Sequence, residues 1–230
     1  MCRILGIQSD DPIDLRPWID AFALRCKESK EYQGHGWGVS WREDGRWCQY
    51  RSLKPLWEDA ADVPPTQLAI VHARSAFRNE GIVVENNMPF LEDELVFAFN
   101  GELHGVRLSV SGTTGAARLF ELFRRFNRAA GDDVPAALER LDALITKRTE
   151  YVRALNVVVS DGRSLFVNTR YSEDPEYFTL HVGRASGVPG VPGLRLVSSE
   201  VVSTETVTPE WAPLPNGTTA EVDREMTCFS

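Results

Sequence analysis

The sequence contains no long apolar run and no stripe of basic residues. No stretch reaches the ~18 apolar residues that crossing a bilayer requires, and the start MCRILGIQSDDP has no basic segment followed by an apolar run of signal-peptide length. We therefore expect a cytoplasmic protein without a membrane partner. The net charge of -8 argues against nucleic acid as a partner, because no basic stripe is present to replace the counterions around phosphates.

Cysteine is scarce, and its spacing excludes the common zinc sites. The four cysteines are Cys2, Cys26, Cys48 and Cys228, and they form no CxxC pair. In a reducing compartment they are most simply free thiols. Cys26 lies on the apolar face of a predicted helix, and Cys48 lies on a predicted strand, so both are interpreted as packed side chains. Neither a metal nor an organic cofactor is implied.

The order of the predicted elements favours an α+β fold. Residues 1–230 contain no stretch that resembles a linker, so we expect one domain over the whole chain. Hydrophobic periodicity predicts helices over 14–27, from 114 and from 134. Predicted strands cover 4–7, 37–41, 47–53, 67–73, 94–99, 155–159, 164–168, 177–182 and 194–199. Runs of strands separated from runs of helices favour layered antiparallel sheets over a doubly wound parallel sheet.

The first residues carry the most reactive chemistry in the chain. Cys2 directly follows Met1, and removal of Met1 would place a thiol and a free α-amino group on one residue. The thiolate is the reactive form of cysteine, and an α-amino group with a pKa of about 7.7 to 8.0 can accept its proton near neutrality. Such a residue carries both a nucleophile and a base.

Two predicted buried strands end in polar residues. His72, Arg74 and Ser75 lie at the end of the strand 67–73, and Asn100 and Gly101 follow the strand 94–99. Functional side chains are commonly carried on loops that a rigid scaffold positions. The imidazole of His72 is interpreted as structural, because it lies at the end of a buried strand.

Six short motifs occur in an order that resembles the class II glutamine amidotransferases, and in particular their stand-alone members. The motifs are Met1-Cys2 with Arg3-Ile4-Leu5-Gly6, Gly36-Trp37-Gly38-Val39, His72-Ala73-Arg74, Asn86-Asn87-Met88-Pro89-Phe90, Phe99-Asn100-Gly101-Glu102-Leu103 and Val197-Ser198-Ser199-Glu200. The resemblance implies the four-layer αββα sandwich of the N-terminal-nucleophile hydrolases, with two stacked antiparallel sheets between two layers of helices.

The resemblance also implies roles for individual residues. Cys2, once Met1 is gone, is similar to the nucleophile that attacks a side-chain carboxamide and forms a thioester. Asn100 and the backbone amide of Gly101 resemble the oxyanion hole, which acyl transfer requires where negative charge develops. Arg74 resembles the residue that binds the α-carboxylate of glutamine, a task that suits a planar guanidinium. Ser75 and Gly101 are expected to line the same substrate site.

Two positions depart from the family pattern and leave the substrate open. Phe77 stands where many members have threonine, and Gly115 stands where they have the aspartate that pairs with the α-ammonium of glutamine. Three explanations remain: a carboxylate from Glu80, Glu85 or Glu102 replaces the aspartate, the substrate has a modified amino group, or catalysis has been lost.

Three functions therefore remain open at this point. The first is a cysteine-dependent amidohydrolase acting on glutamine or a γ-glutamyl amide, with the ammonia discarded or passed to a separate acceptor enzyme. The second is another N-terminal-nucleophile acylase, although such chains are usually much longer. The third is a non-catalytic relative that binds a ligand, which retention of Met1 would favour. The sequence leaves the oligomeric state open, and a homo-oligomer is compatible with it.

Overall fold

The computed structural model describes residues 1–223. Its α-helices are α1 (Arg16–Lys27), α2 (Gly115–Ala129), α3 (Val134–Arg148) and α4 (Pro175–Phe178). Its strands are β1 (Arg3–Ile13), β2 (Trp37–Glu43), β3 (Arg46–Ser52), β4 (Thr66–Ala73), β5 (Phe90–Glu92), β6 (Leu95–His104), β7 (Tyr151–Ser160), β8 (Leu165–Asn168), β9 (His181–Ala185), β10 (Leu194–Ser198), β11 (Glu210–Pro213) and β12 (Thr219–Glu221).

The strands form two antiparallel sheets. One has seven strands in the order β11-β9-β10-β1-β4-β2-β3, and the other has five in the order β12-β8-β7-β6-β5. In the first sheet β1 lies between β10 and β4, so the start of the chain is held at the centre of a sheet. The predicted α+β architecture of two stacked antiparallel sheets with flanking helices is confirmed.

Alternation of side chains along the strands builds three apolar layers. The layer between the two sheets includes Ile4, Ile70, Ala98, Val158 and Val197. The layer between the first sheet and α1 includes Leu5, Ile7, Trp18 and Phe22. The layer between the second sheet and the pair α2 and α3 includes Phe97, Phe99, Phe123 and Leu138. The side chains of even-numbered residues near the start of β1 therefore point between the sheets.

Side-chain caps fix where the two long helices begin. The hydroxyl of Thr114 accepts a hydrogen bond from the amide of Ala117 at 3.1 Å at the start of α2. The carboxylate of Asp133 accepts one from Ala136 at 3.0 Å at the start of α3. Such caps stabilise a helix by about 1 kcal/mol each. Within residues 1–223, no helix combines the length and the apolar character needed to span a membrane.

The structure corrects two predicted boundaries. β6 does not stop before Asn100 but continues to His104, with Asn100 opposite Asn156 on β7. Backbone pairing along β7 therefore overrides the turn preference of the Asn-Gly dipeptide. The strand predicted over 177–182 is wrong in its first half, because Pro175 begins the short helix α4, a position that proline favours. β5, β11 and β12 were not predicted.

The cysteines are placed largely as expected. Cys26 is buried on the inner face of α1, in the apolar layer between this helix and the first sheet. Cys48 on β3 is half-buried and packs against that layer. Cys2, Cys26 and Cys48 are free thiols. Cys228 lies outside the residues that the structure describes.

Candidate active site

Cys2 lies immediately before β1 and beside the end of β4. Arg3 pairs with Ala73 across the two strands, and the thiol of Cys2 lies 3.7 Å from the backbone carbonyl of Ser75. Burial raises the pKa of the Cys2 thiol, although the positive charges of the Met1 ammonium and of Arg74 oppose this effect. With Met1 in place, Cys2 is therefore a protonated thiol near neutral pH.

Arg74 is buried next to this thiol and is bonded to a single loop. Its guanidinium donates to the side-chain oxygen of Asn87 at 2.9 Å, to the carbonyl of Gly81 at 2.8 Å and to that of Val83 at 3.4 Å. Its backbone amide donates to the carbonyl of Gly36 at 2.9 Å. Because a guanidinium has five N–H donors, two of them remain for a ligand. Burial lowers the pKa of Arg74, and Cys2 opposes this effect when it is a thiolate.

Asn100 has a fully buried side-chain amide without a partner. Neither its nitrogen nor its oxygen forms a hydrogen bond with any residue in the described range. Its neighbour across the strands, Asn156, is equally buried but donates to the carbonyl of Phe178 at 2.6 Å and accepts from the amide of Arg170 at 3.1 Å. A buried polar group left unsatisfied costs about 1–3 kcal/mol. The contrast between the two amides is what a ligand-binding donor at Asn100 would produce.

Only glycine fits at the next position of β6. A Cβ atom at Gly101 would lie 2.1 Å from the carbonyl oxygen of Ala154 and 2.6 Å from the ring of Phe99. Any side chain would therefore force β6 away from β7. The close approach keeps the backbone of Gly101 in place next to the amide of Asn100.

His72 lies near the end of β4, next to the backbone of Phe99 on β6. It pairs with Ile4 on β1, and its pKa is lowered to about 3 by burial first and by Arg74 second, while the backbone of Phe99 opposes the change. Further along, Arg153 pairs both with Glu31, which binds Met1, and with Glu102 on β6, so the residues that precede Ile4 and those that follow Phe99 lie at the same end of the layer between the sheets. His72 is neutral at physiological pH, which agrees with its interpretation as a structural residue.

The start of α2 faces the loop that holds Arg74, but it carries no carboxylate. The hydroxyl of Thr113 donates to the side-chain oxygen of Asn86 at 2.7 Å, and Asn86 belongs to that loop. Gly115 is the first residue of α2, no atom lies within 4 Å of the position that its Cβ would take, and the first turn contains no acidic residue. An aspartate would fit here without steric cost.

None of the three carboxylates considered from the sequence replaces it in this structure. Glu102 is paired with Arg153 at 3.0 Å and with His104 at 2.7 Å, and Glu80 and Glu85 have exposed side chains. Phe77 is also exposed and lies edge-on to the ring of His104. Because Phe77 has an uncharged side chain at the surface, it does not replace the carboxylate that is missing at Gly115.

A carboxylate that sequence reasoning missed lies next to Cys2. Glu31 accepts a hydrogen bond from the α-ammonium of Met1, and its charge contributes to raising the pKa of Cys2. The carbonyl of Met1 accepts from Tyr177 at 2.7 Å and from Gln33 at 2.5 Å. Glu31 follows α1 in a polar segment without any recognisable pattern, so no signal in the sequence marked it.

The last of the six motifs anchors the start of β1. The hydroxyl of Ser199 accepts from the amide of Ile4 at 2.9 Å, and Arg3 forms an ion pair with Glu200 at 2.6 Å. The guanidinium of Arg3 also lies 3.7 Å above the ring of Tyr177. Together with the contacts of Met1, these interactions hold the chain on both sides of Cys2 and limit the positions that its thiol can take.

Comparison with known proteins agrees with this geometry. A family model of the class-II glutamine amidotransferases matches residues 1–181, whereas no curated protein sequence matches the chain. Three solved structures share the fold. Glutamine phosphoribosylpyrophosphate amidotransferase from B. subtilis has a TM-score of 0.66 at 16% identity and covers 97% of this chain, which spans only 48% of that protein. A glutamine aminotransferase class-II domain protein from Silicibacter pomeroyi has a TM-score of 0.58 at 18% identity. The match covers 96% of this chain and 99% of that protein. A predicted glutamine amidotransferase from Pseudomonas aeruginosa has a TM-score of 0.57 at 19% identity. The match covers 96% of this chain and 97% of that protein.

Proposed function

The chain belongs to the class II glutamine amidotransferases, and we propose that it is a cysteine-dependent amidohydrolase that cleaves the side-chain amide of glutamine or of a γ-glutamyl compound. The observation that supports this proposal most directly is the side-chain amide of Asn100, which is fully buried at the same end of the sheet interface as Cys2 and has no hydrogen-bond partner among residues 1–223. An oxyanion formed at Cys2 would satisfy that amide.

The proposed reaction begins when Met1 is removed. The α-amino group of Cys2 takes the proton of its own thiol, and the thiolate attacks the carbonyl carbon of the amide. The side-chain amide of Asn100 and the backbone amide of Gly101 donate to the oxyanion. Collapse of this intermediate breaks the C–N bond, the departing nitrogen takes a proton from the α-amino group, and a thioester remains. Water then hydrolyses the thioester and regenerates the thiol.

Arg74 is proposed to bind the carboxylate of the substrate. Arg74 is 6% exposed, and its guanidinium keeps two N–H donors free of the contacts to the loop. A bidentate pair with a carboxylate is strong where water is excluded. Ser75 is proposed to line the same site, because its carbonyl lies 3.7 Å from the thiol of Cys2. The ammonia is released or passed to a separate acceptor enzyme.

One observation favours a non-catalytic relative as the second candidate. Met1 is held by Glu31, Tyr177 and Gln33, and a retained Met1 would leave Cys2 without a free amine to act as the base. In that case the site would bind a glutamine-like ligand without cleaving it.

The test is ammonia release from glutamine and from γ-glutamyl amides by wild-type protein and by the Cys2→Ala variant. We expect the variant to lose turnover while its circular dichroism spectrum stays unchanged. Cys48→Ala is the matched control, because this second free thiol lies on β3 away from the site, and it should keep full activity. Equal turnover in Cys2→Ala and wild type would overturn the proposal.

A further inference from the structure

Met1 occupies a niche that has a partner for each of its polar groups. Its ammonium bonds to Glu31, and its carbonyl accepts from the hydroxyl of Tyr177 at 2.7 Å and from the amide of Gln33 at 2.5 Å. Its side chain packs against a small apolar cluster formed by Ala154, Tyr171, Tyr177 and Phe178. The niche therefore provides contacts for the ammonium, the carbonyl and the side chain of one α-amino acid.

The amide of Gln33 contributes its nitrogen to this niche. Gln33 is fully buried, and its nitrogen donates to the carbonyl of Met1, to that of Glu31 at 2.8 Å and to the hydroxyl of Tyr177 at 3.1 Å. Its oxygen has no partner in residues 1–223. Once Met1 is removed, the amide nitrogen of Gln33 also loses the Met1 carbonyl to which it donates.

The charges around Glu31 also favour a cation. Arg153 lies 3.5 Å from Glu31, but it is shared with Glu102 at 3.0 Å, Glu173 at 2.6 Å and Asp174 at 2.8 Å. Lys30 lies 3.8 Å from Asp174. Four carboxylates thus face two side-chain cations, and the ammonium of Met1 supplies a third positive charge. Removal of Met1 moves the α-ammonium to Cys2. When that group gives its proton to the leaving nitrogen, the four carboxylates face only the two side-chain cations.

The vacated ammonium position lies next to the proposed base. Covalent geometry places the nitrogen of Met1 roughly 3 Å from the nitrogen of Cys2. We propose that this niche, once Met1 is removed, binds the amine product of the amide hydrolysis as an ammonium paired with Glu31. The proposal rests on the proposed function, since the niche takes the nitrogen that leaves the acyl group.

The chemistry of the step defines the ligand as a primary ammonium. When the C–N bond breaks, the leaving nitrogen takes one proton from the α-ammonium of Cys2 and departs as a neutral amine. A second proton from water converts it to the ammonium that Glu31 binds. The ligand is ammonia when the substrate is a simple carboxamide, and it is a substituted amine when the substrate is a γ-glutamyl amide whose substituent fills the space left by the Met1 side chain.

Direct binding of L-methioninamide tests the niche independently of turnover. This probe carries the ammonium and the side chain of Met1, and its carboxamide has to lie beside the freed nitrogen of Cys2. Titration calorimetry on protein shown by intact mass to lack Met1 should give saturable binding, and N-acetyl-L-methioninamide, which has no charge, should not bind. Glu31→Gln should weaken the Kd of L-methioninamide at least tenfold. Glu28→Gln is the matched control, because Glu28 is an exposed carboxylate of the same segment, and its Kd should stay within twofold of wild type.

The source of the amine is distinguished by a second titration with ammonium chloride. Equal inhibition of turnover by ammonium chloride and by L-methioninamide indicates ammonia, and stronger inhibition by L-methioninamide indicates a substituted amine. Absence of L-methioninamide binding to the wild type, or an unchanged Kd in Glu31→Gln, would overturn the proposed niche even if the enzyme is active. Binding that depends on Glu31 without any amide hydrolysis would contradict the proposed function instead.

Discussion

Acid should destabilise the folded protein through His72. This imidazole is fully buried, and its pKa in the folded state is lowered to about 3, whereas histidine in an unfolded chain titrates near 6.5. Below pH 6.5 the unfolded chain binds a proton that the folded chain does not, so the free energy of unfolding falls as the pH falls from about 6.5 towards 3. At about 1.4 kcal/mol per pH unit, the loss is about 2 kcal/mol at pH 5 and about 5 kcal/mol at the acid limit.

Urea unfolding at pH 7.5 and pH 5.0 measures this contribution. His72→Gln keeps a neutral polar side chain at both pH values, so the wild type should lose about 2 kcal/mol more than the variant between them. Carboxylates contribute to both proteins and cancel in the difference. Identical pH dependence in wild type and His72→Gln, or an NMR titration of His72 with a midpoint near 6.5, would refute the reasoning.

Three further variants test the roles proposed around the site. Asn100→Ala should lower kcat by about 10²–10³-fold without lowering the free energy of unfolding in urea, whereas Asn156→Ala, which removes a bonded amide, should lower stability. Arg74→Lys should raise KM at least about tenfold for carboxylate-bearing substrates in steady-state assays, because lysine lacks the bidentate geometry; an effect on stability alone would show that Arg74 only holds the loop. Gly115→Asp should lower KM for glutamine and stabilise α2 by about 0.3–1 kcal/mol through the helix dipole. An unchanged KM would contradict the alignment that makes this position the ammonium partner.

The architecture was predictable because the local patterns agree with the packing. The run Leu68–Val71 is apolar on both faces, and β4 is indeed central in its sheet with apolar layers on both sides. The apolar faces of α2 and α3 cover the second sheet as their periodicity predicts. In these elements the local sequence preference and the tertiary contacts favour the same structure.

The predictions were wrong where a tertiary contact decides against a local preference. Asn100-Gly101 has the composition of a turn, yet it lies within β6 because β7 provides a continuous partner. Residues 177–182 are apolar enough for a strand, but Pro175 and the αL conformation of Asp174 begin a helix there. β12 has three residues and pairs with β8 at the sheet edge, and such a short strand leaves no periodic signal.

The candidate site was predictable only in part. Cys2, Arg74 and Asn100 are predicted from motifs that resemble those of the family, and this prediction needs no coordinates. Glu31 belongs to no motif, and its position depends on how the chain after α1 returns to the first residue. The unsatisfied amide of Asn100 is likewise a property of three-dimensional packing, since Asn156 has the same residue type and burial but has partners.

The measurement that tests the central proposal most directly is the intact mass of the purified protein before and after treatment with a glutamine-derived diazo-ketone. We predict a mass without Met1 and a single adduct that peptide mapping assigns to Cys2. The adduct should be absent from Cys2→Ala. A protein that has lost Met1 but acquires no adduct on Cys2, or whose adduct maps to Cys48, would contradict the assignment of Cys2 as the nucleophile of a glutamine-type site.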